Sequence, residues 1–159
     1  MHRLVSLAVF LVLVVVATAV GGQFVGGDWY YVLFTPSWTP SAMAMASVWS
    51  VLYVLMALSA WMIWDAMRGL ARVALGWWGL QLLLSICWSW VFFGLHRLGL
   101  SLVIVSLWIL VVLIVIRAFR PIKPEAASLV VPLAAWLVFV WVLNFSQWHM
   151  NGGGLGSVI

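Results

Sequence analysis

The stretch Leu98–Ile116 reads LGLSLVIVSLWILVVLIVI, an apolar run without a single Asp, Glu, Lys or Arg. A helix rising 1.5 Å per residue needs about 20 such residues to cross a hydrocarbon core of ~30 Å. The run lacks the strict alternation of a barrel strand. A helix also satisfies its own backbone hydrogen bonds in lipid, which an isolated strand does not. Four further stretches read the same way: Leu4–Val20, Met43–Trp64 (closed by Asp65 and Arg68), Val73–Leu95 and Ala126–Trp148. The expected fold is all-α: a polytopic membrane protein, a bundle of five transmembrane helices, in one domain spanning residues 1–159.

Composition supports this reading. The chain is 67% hydrophobic and 6% charged, with a mean hydropathy of +1.24. Soluble domains carry about 25% charged residues, so this chain cannot cover a water-facing surface. The net charge of +4 comes from few basic residues set between apolar runs, which argues for topology signals and against nucleic-acid binding. Cys87 is the only cysteine, which excludes an internal disulfide and a cysteine metal cluster. Arg3, the first apolar run and Ala17-Thr18-Ala19 also resemble a cleavable signal peptide, but the run is long for one.

The links after the second, third and fourth segments are short, which makes successive helices antiparallel neighbours. The first link, residues 21–42, is long and holds Gly21, Gly22, Gly26, Gly27, Pro36 and Pro40 with Trp29, Tyr30, Tyr31 and Trp38 between them. This is too aromatic for a solvated linker, and it is expected to fold over one mouth of the bundle as a lid. The tail from Asn151 is Gly-rich. With five spans, Arg3, Arg68, Arg72, Arg117, Arg120 and Lys123 share one side and Arg97 stands alone on the other. The positive-inside rule then puts the N-terminus in the cytoplasm, with the lid and C-terminus outside.

The chemistry the residues allow is narrow. Asp28, Asp65 and Glu125 all lie at links or helix ends and form no pair on a helix face, so carboxylate acid/base catalysis is unsupported. His2, His96 and His149 have no partner at metal-ligand spacing, and no metal site is expected. No charge sits at membrane depth, which argues against an ion-coupled pump.

Aromatic and amide residues remain. There are 13 Trp in 159 residues. Trp61, Trp64, Trp77, Trp78 and Trp148 suit an interfacial belt. Trp49, Trp88, Trp136 and Trp141 lie deeper, where packing and ligand lining are both open. Three sets share helix faces: Trp49 with Tyr53; Gln81 with Ser85 and Trp88; and Trp136 with Val140 and Asn144. Gln81 and Asn144 are amides in apolar runs and should face the interior, either tying helices together or meeting a ligand. An aromatic wall with a few polar groups suits a flat apolar ligand. Pro132 removes a helix hydrogen bond near Ser128 and should kink the last helix.

These residues resemble a known family. Trp29-Tyr30 followed by Pro36-Ser37-Trp38-Thr39-Pro40 is similar to the first loop of the TspO/MBR family, the tryptophan-rich sensory and translocator proteins. W-S-V-L-Y at Trp49–Tyr53, Q-L-L-L-S-I-C-W-S-W-V-F-F at Gln81–Phe93 and the Pro132–Asn144 run resemble its other motifs, in family order. The resemblance implies a bundle, usually a homodimer, with a ligand pocket beneath the first loop. It implies porphyrins such as protoporphyrin and haem, or other lipophilic small molecules, as non-covalent ligands in tetrapyrrole regulation or stress sensing. By position the pocket would include Trp49, Tyr53, Gln81, Ser85, Trp88, Trp136, Val140 and Asn144, with Tyr30, Pro36 and Trp38 in the lid. The chain departs from the pattern at Thr35 (Lys in the family), Ser41 (Pro), Ser85 (Asn) and Leu133 (Tyr). With tyrosines only at 30, 31 and 53, no sterol motif can be drawn near the last helix.

On this reading a planar macrocycle is buried against Trp49, Trp88 and Trp136, oriented by Tyr53 and Asn144, with Arg97 near a propionate. Two alternatives stand beside it. One is light-dependent porphyrin degradation, with Trp49 and Trp136 as the candidate reactive residues. The other is passive transfer of tetrapyrroles or other lipophilic ligands. For dimerisation, Gly22 and Gly26 form a small-residue pair, and Ala71, Ala74, Gly76 and Gly79 allow close approach of a partner helix.

Overall fold

The structure is a computed structural model describing residues 2–25, 27–66 and 71–153. Arg68, Gly26 and the tail beyond Gly153 lie outside the described residues. The elements are α1 (His2–Gly22), a short α2 (Trp29–Val32), α3 (Ala42–Ala66), α4 (Ala71–Ser89) running into a π-helical segment (Trp90–Gly94), α5 (Leu98–Phe119) and α6 (Pro124–Met150). The described residues are all-helical, and five helices are long and apolar enough to cross a membrane. The expected segment ends agree with these to within three residues.

Packing follows the apolar pattern. On α5, Leu98, Ser101, Val105, Trp108, Val112, Val115 and Phe119 are buried. They recur at alternating steps of three and four, the seam of a helix packed against neighbours at a shallow angle. Accordingly α5 packs on both α4 and α6. On α1 only a narrow stripe is buried, Phe10, Val14, Ala17 and Gly21, and most of its other side chains face outward. This helix lies against α3 and α4, and α3 lies against α6. Around the bundle the order is therefore α1, α3, α6, α5, α4.

One expectation is corrected in part. α3 and α4 are joined by a short link but meet over a small stretch, since α3 packs mainly on α1 and α6. Polar contacts tie α1 to α3 at one end. Arg3 reaches Asp65 at 2.7 Å, and Trp61 Nε1 donates to the Arg3 carbonyl at 3.0 Å. At the other end of α1, Ser89 Oγ donates to the Gly21 carbonyl at 2.7 Å, tying α1 to α4.

The first link folds back over the bundle. The Asn151 side chain takes the Phe34 N–H at 3.0 Å and donates to the Phe34 carbonyl at 2.8 Å. Trp29 stacks on His96 with centroids 4.3 Å apart. His96 has φ 57°, a left-handed backbone that a non-glycine residue rarely adopts. It follows the π-helical turn, where Leu95 N–H donates to the Trp90 carbonyl at 2.9 Å. A Cβ at Gly94 would lie 3.0 Å from the Trp90 ring and 3.1 Å from the Phe24 ring, so a larger residue there would push these rings aside by a few tenths of an ångström. α6 runs as one helix through Pro132, whose side faces outward.

Candidate ligand site

The residues singled out from sequence fall into two groups. The first centres on Trp49 of α3. Its ring stacks on Trp108 of α5 (5.8 Å, 9°) and meets Trp136 of α6 edge-on (6.2 Å, 87°). Tyr53, one turn along α3, lies 5.8 Å from Trp49, and its hydroxyl faces the hydroxyls of Ser85 and Thr18. Trp136 stacks on Phe139 at 4.8 Å, and Phe139 meets Trp38 of the lid at 5.9 Å. A continuous run of rings thus leads from the lid into the bundle: Trp38, Phe139, Trp136, Trp49, Trp108.

The polar edge of this group is unbalanced. Gln81 is 1% exposed, and its Oε1 accepts Trp108 Nε1–H at 3.1 Å. That bond fixes which end of the amide faces Trp108, because the indole only donates. The Gln81 Nε2 donors are buried without an acceptor among the described residues, and so is Trp136 Nε1. Unpaired buried donors are costly, about 1–3 kcal/mol each, so this region favours an oxygen or nitrogen acceptor.

The second group centres on Asn144 of α6. Its Oδ1 accepts Trp88 Nε1–H at 3.3 Å and lies 2.8 Å from Ser101 Oγ, whose hydroxyl proton it shares with the Leu98 carbonyl, and its Nδ2 donates to the Leu98 carbonyl at 3.3 Å. Asn144 therefore bridges α4, α5 and α6 and has both ends engaged. Trp88 stacks on Phe92 (5.2 Å), and Tyr30 of the lid lies 5.7 Å from Phe93. Gln147 Nε2 reaches the Tyr30 hydroxyl at 3.5 Å. Val140 is buried between the groups, and Ser85 Oγ donates to the Leu82 carbonyl at 2.7 Å. Pro36 lies in the lid outside both groups; its carbonyl holds a tight turn by accepting from Thr39.

Participants outside the residues singled out include Trp108, Phe139, Ser101, Gln147 and Asn151. Trp108 carried a signal, as the one aromatic in the aliphatic run of α5. Trp141 points elsewhere: its Nε1 donates to Ser106 at 2.9 Å on the outer face of α5 and α6. Among the described residues no three His, Cys, Asp or Glu side chains converge.

Comparison with known proteins agrees with the resemblance. Residues 8–149 match the TspO/MBR family. Protein CrtK of Rhodobacter capsulatus is 38% identical over 149 residues, covering 92% of each chain. The human translocator protein is 35% identical over 144 residues, covering 87% of this chain and 85% of its own. The tryptophan-rich protein TspO of Chlorobaculum tepidum is 35% identical over 128 residues, covering 78% and 80%.

Proposed function

The chain belongs to the TspO/MBR family of membrane proteins, and from that premise we propose that it binds porphyrins or related flat lipophilic molecules non-covalently beneath the lid. The observation that carries this reading is the half-buried Trp49–Trp136 pair with an unpartnered indole N–H. Flat rings offer π-faces to a flat ligand at little conformational cost, and the N–H supplies direction. A macrocycle entering past Trp38 would replace the Trp38–Phe139 and Trp136–Phe139 ring contacts with stacking of these rings on its own face. Tyr53 and Trp136 Nε1 would orient it. Asn144 would act through position, by holding Trp88 and α5 in place. The role is receptor-like, in tetrapyrrole handling.

Orientation and assembly belong to the same proposal. Arg3, Arg72, Arg117, Arg120 and Lys123 lie at one end of the bundle and Arg97 at the other, so the N-terminus faces the cytoplasm. A homodimer would use α4, where Gly76 and Gly79 have open space at their Cβ positions.

The test is quenching of tryptophan fluorescence by protoporphyrin in purified protein, compared with a Trp49→Phe/Trp136→Phe variant. Saturable quenching that weakens several-fold in the variant is expected. Non-saturable quenching, or unchanged affinity, would make the aromatic set packing alone.

A further inference from the structure

Two grooves open on the outer, lipid-facing surface. One, of about 300 Å³, is lined by Val5, Ser6, Val9, Phe10 and Trp64 of α1 and α3. The other, of about 340 Å³, is lined by Ser106, Ile109 and Leu110 of α5 and Val138 and Trp141 of α6. Their walls are alike; the charge at their ends is not. The first lies beside Arg3, which Asp65 neutralises at 2.7 Å. The second leads to Arg117 and Arg120.

Helical geometry makes that connection. At 100° per residue, Ser106, Leu110, Leu113, Arg117 and Arg120 fall within one stripe about 80° wide on α5. The matching stripe on α6 is Val131, Ala134, Val138 and Trp141, with Val131 and Val138 exposed. Arg117 and Arg120 are exposed, and neither makes an ion pair or side-chain hydrogen bond among the described residues. Lys123 follows in the same turn. The only nearby acid, Glu125, sits about 120° or more round α6 from that stripe. Asp65 is taken by Arg3, and Asp28 lies at the lid end. The arginines stand roughly 10 and 15 Å along the axis from Leu110. That is about half the thickness of a bilayer core, so an acyl chain in the groove would bring its headgroup to them.

We propose that the α5–α6 face is a binding site for one anionic phospholipid. Arg117 and Arg120 hold the phosphate, and an acyl chain lies in the groove beside Trp141. Guanidinium groups bind phosphate in bidentate fashion, and a basic pocket between helices is the pattern that selects anionic headgroups. Trp141 is a firm wall, because Ser106 holds its indole N–H at 2.9 Å.

The test uses the full chain in detergent, with native mass spectrometry of retained lipid. Phosphatidylglycerol is compared with phosphatidylcholine of the same chains. The wild type should retain phosphatidylglycerol preferentially. Arg117→Gln/Arg120→Gln should lower that preference about tenfold or more, from roughly fivefold per basic residue near an anionic surface. Arg72→Gln, at the same end of the bundle, should leave it unchanged. Leu110→Trp should fill the groove and lower retention of both lipids, and quenching by a brominated-chain phosphatidylglycerol should fall in Trp141→Phe. Equal retention of the two lipids by wild type would overturn the proposal. An equal loss in Arg72→Gln would also overturn it, by showing diffuse surface charge. Displacement of the lipid by millimolar inorganic phosphate would make the site a phosphate site and refute the lipid assignment.

Discussion

Gln81 and Asn144 are both buried amides, each 1% exposed, and each accepts a tryptophan N–H from a neighbouring helix. Their surroundings differ. Asn144 also takes Ser101 and gives a proton to the Leu98 carbonyl, so both ends are engaged. Among the described residues Gln81 has its donors unpaired, and the nearby Trp49–Trp136 pair carries another unpaired N–H. The same residue types thus build a joint in one place and a donor-rich, acceptor-poor site in the other. In a membrane bundle, the bookkeeping of donors and acceptors separates the two roles where burial alone does not.

The sharpest way to break this comparison is Asn144→Leu. It removes three hydrogen bonds, worth about 0.6 kcal/mol each on average in a membrane bundle, and strands the Trp88 N–H at a further cost. A loss of about 2–4 kcal/mol is expected, read as a lowered midpoint of thermal unfolding in detergent. The counterpart at the other node is Gln81→Leu with Trp108→Phe. It deletes both members of a hydrogen-bonded pair together with the unpaired amide donors. Apolar replacement of both partners is close to neutral where shape is kept, but Phe leaves a small cavity at the fully buried Trp108, so a loss of about 1–2 kcal/mol is expected, smaller than that of Asn144→Leu. If the two variants lose equal stability, Gln81 is as much a joint as Asn144.

The ligand side of the comparison predicts the reverse order. Trp49→Phe/Trp136→Phe keeps apolar contact but removes the unpartnered N–H and ring area. Protoporphyrin affinity should fall several-fold, up to about tenfold or ~1.4 kcal/mol, with the unfolding midpoint close to wild type. A large fall in the midpoint without a change in affinity would place these rings in the scaffold.

Much of this was legible in the sequence. Hydropathy located five spans, because a charge-free run of membrane length has few other uses. The aromatic first link marked a covering segment, because linkers in water do not carry so many rings. Spacing also put Trp49 with Tyr53, and Trp136 with Val140, on shared faces. What spacing cannot supply is the order of helices around the bundle, and every contact between helices depends on it. Trp108 stands out in its run as an aromatic, but its role does not, because its partners, Trp49 and Gln81, come from two other helices. Trp141 read as interior from its depth, yet it lies five residues, or about 140°, round α6 from Trp136 and so faces the outer groove. The π-helical turn depends on wider hydrogen-bonded rings such as Leu95 N–H to the Trp90 carbonyl, which no residue type announces.

The smallest expected effect sits where the lid meets the bundle. Asn151 bonds both the N–H and the carbonyl of Phe34, as a neighbouring strand would, and donates to the Gln147 carbonyl at 2.7 Å as well. Asn151→Ala should release the Phe34 backbone at the membrane surface, where water can replace what is lost, so global stability should fall by only about 0.5–1 kcal/mol. The lid is a local unit, and local opening responds to local bonds. Hydrogen exchange at residues 29–34 should therefore accelerate several-fold while the amides of α5 keep their protection. The on-rate for protoporphyrin should rise in the same variant if passage beneath the lid limits entry. Faster exchange spread evenly over α5 and α6 would mean that Asn151 caps the bundle itself, and the division between a fixed joint and an openable site would not extend to the lid.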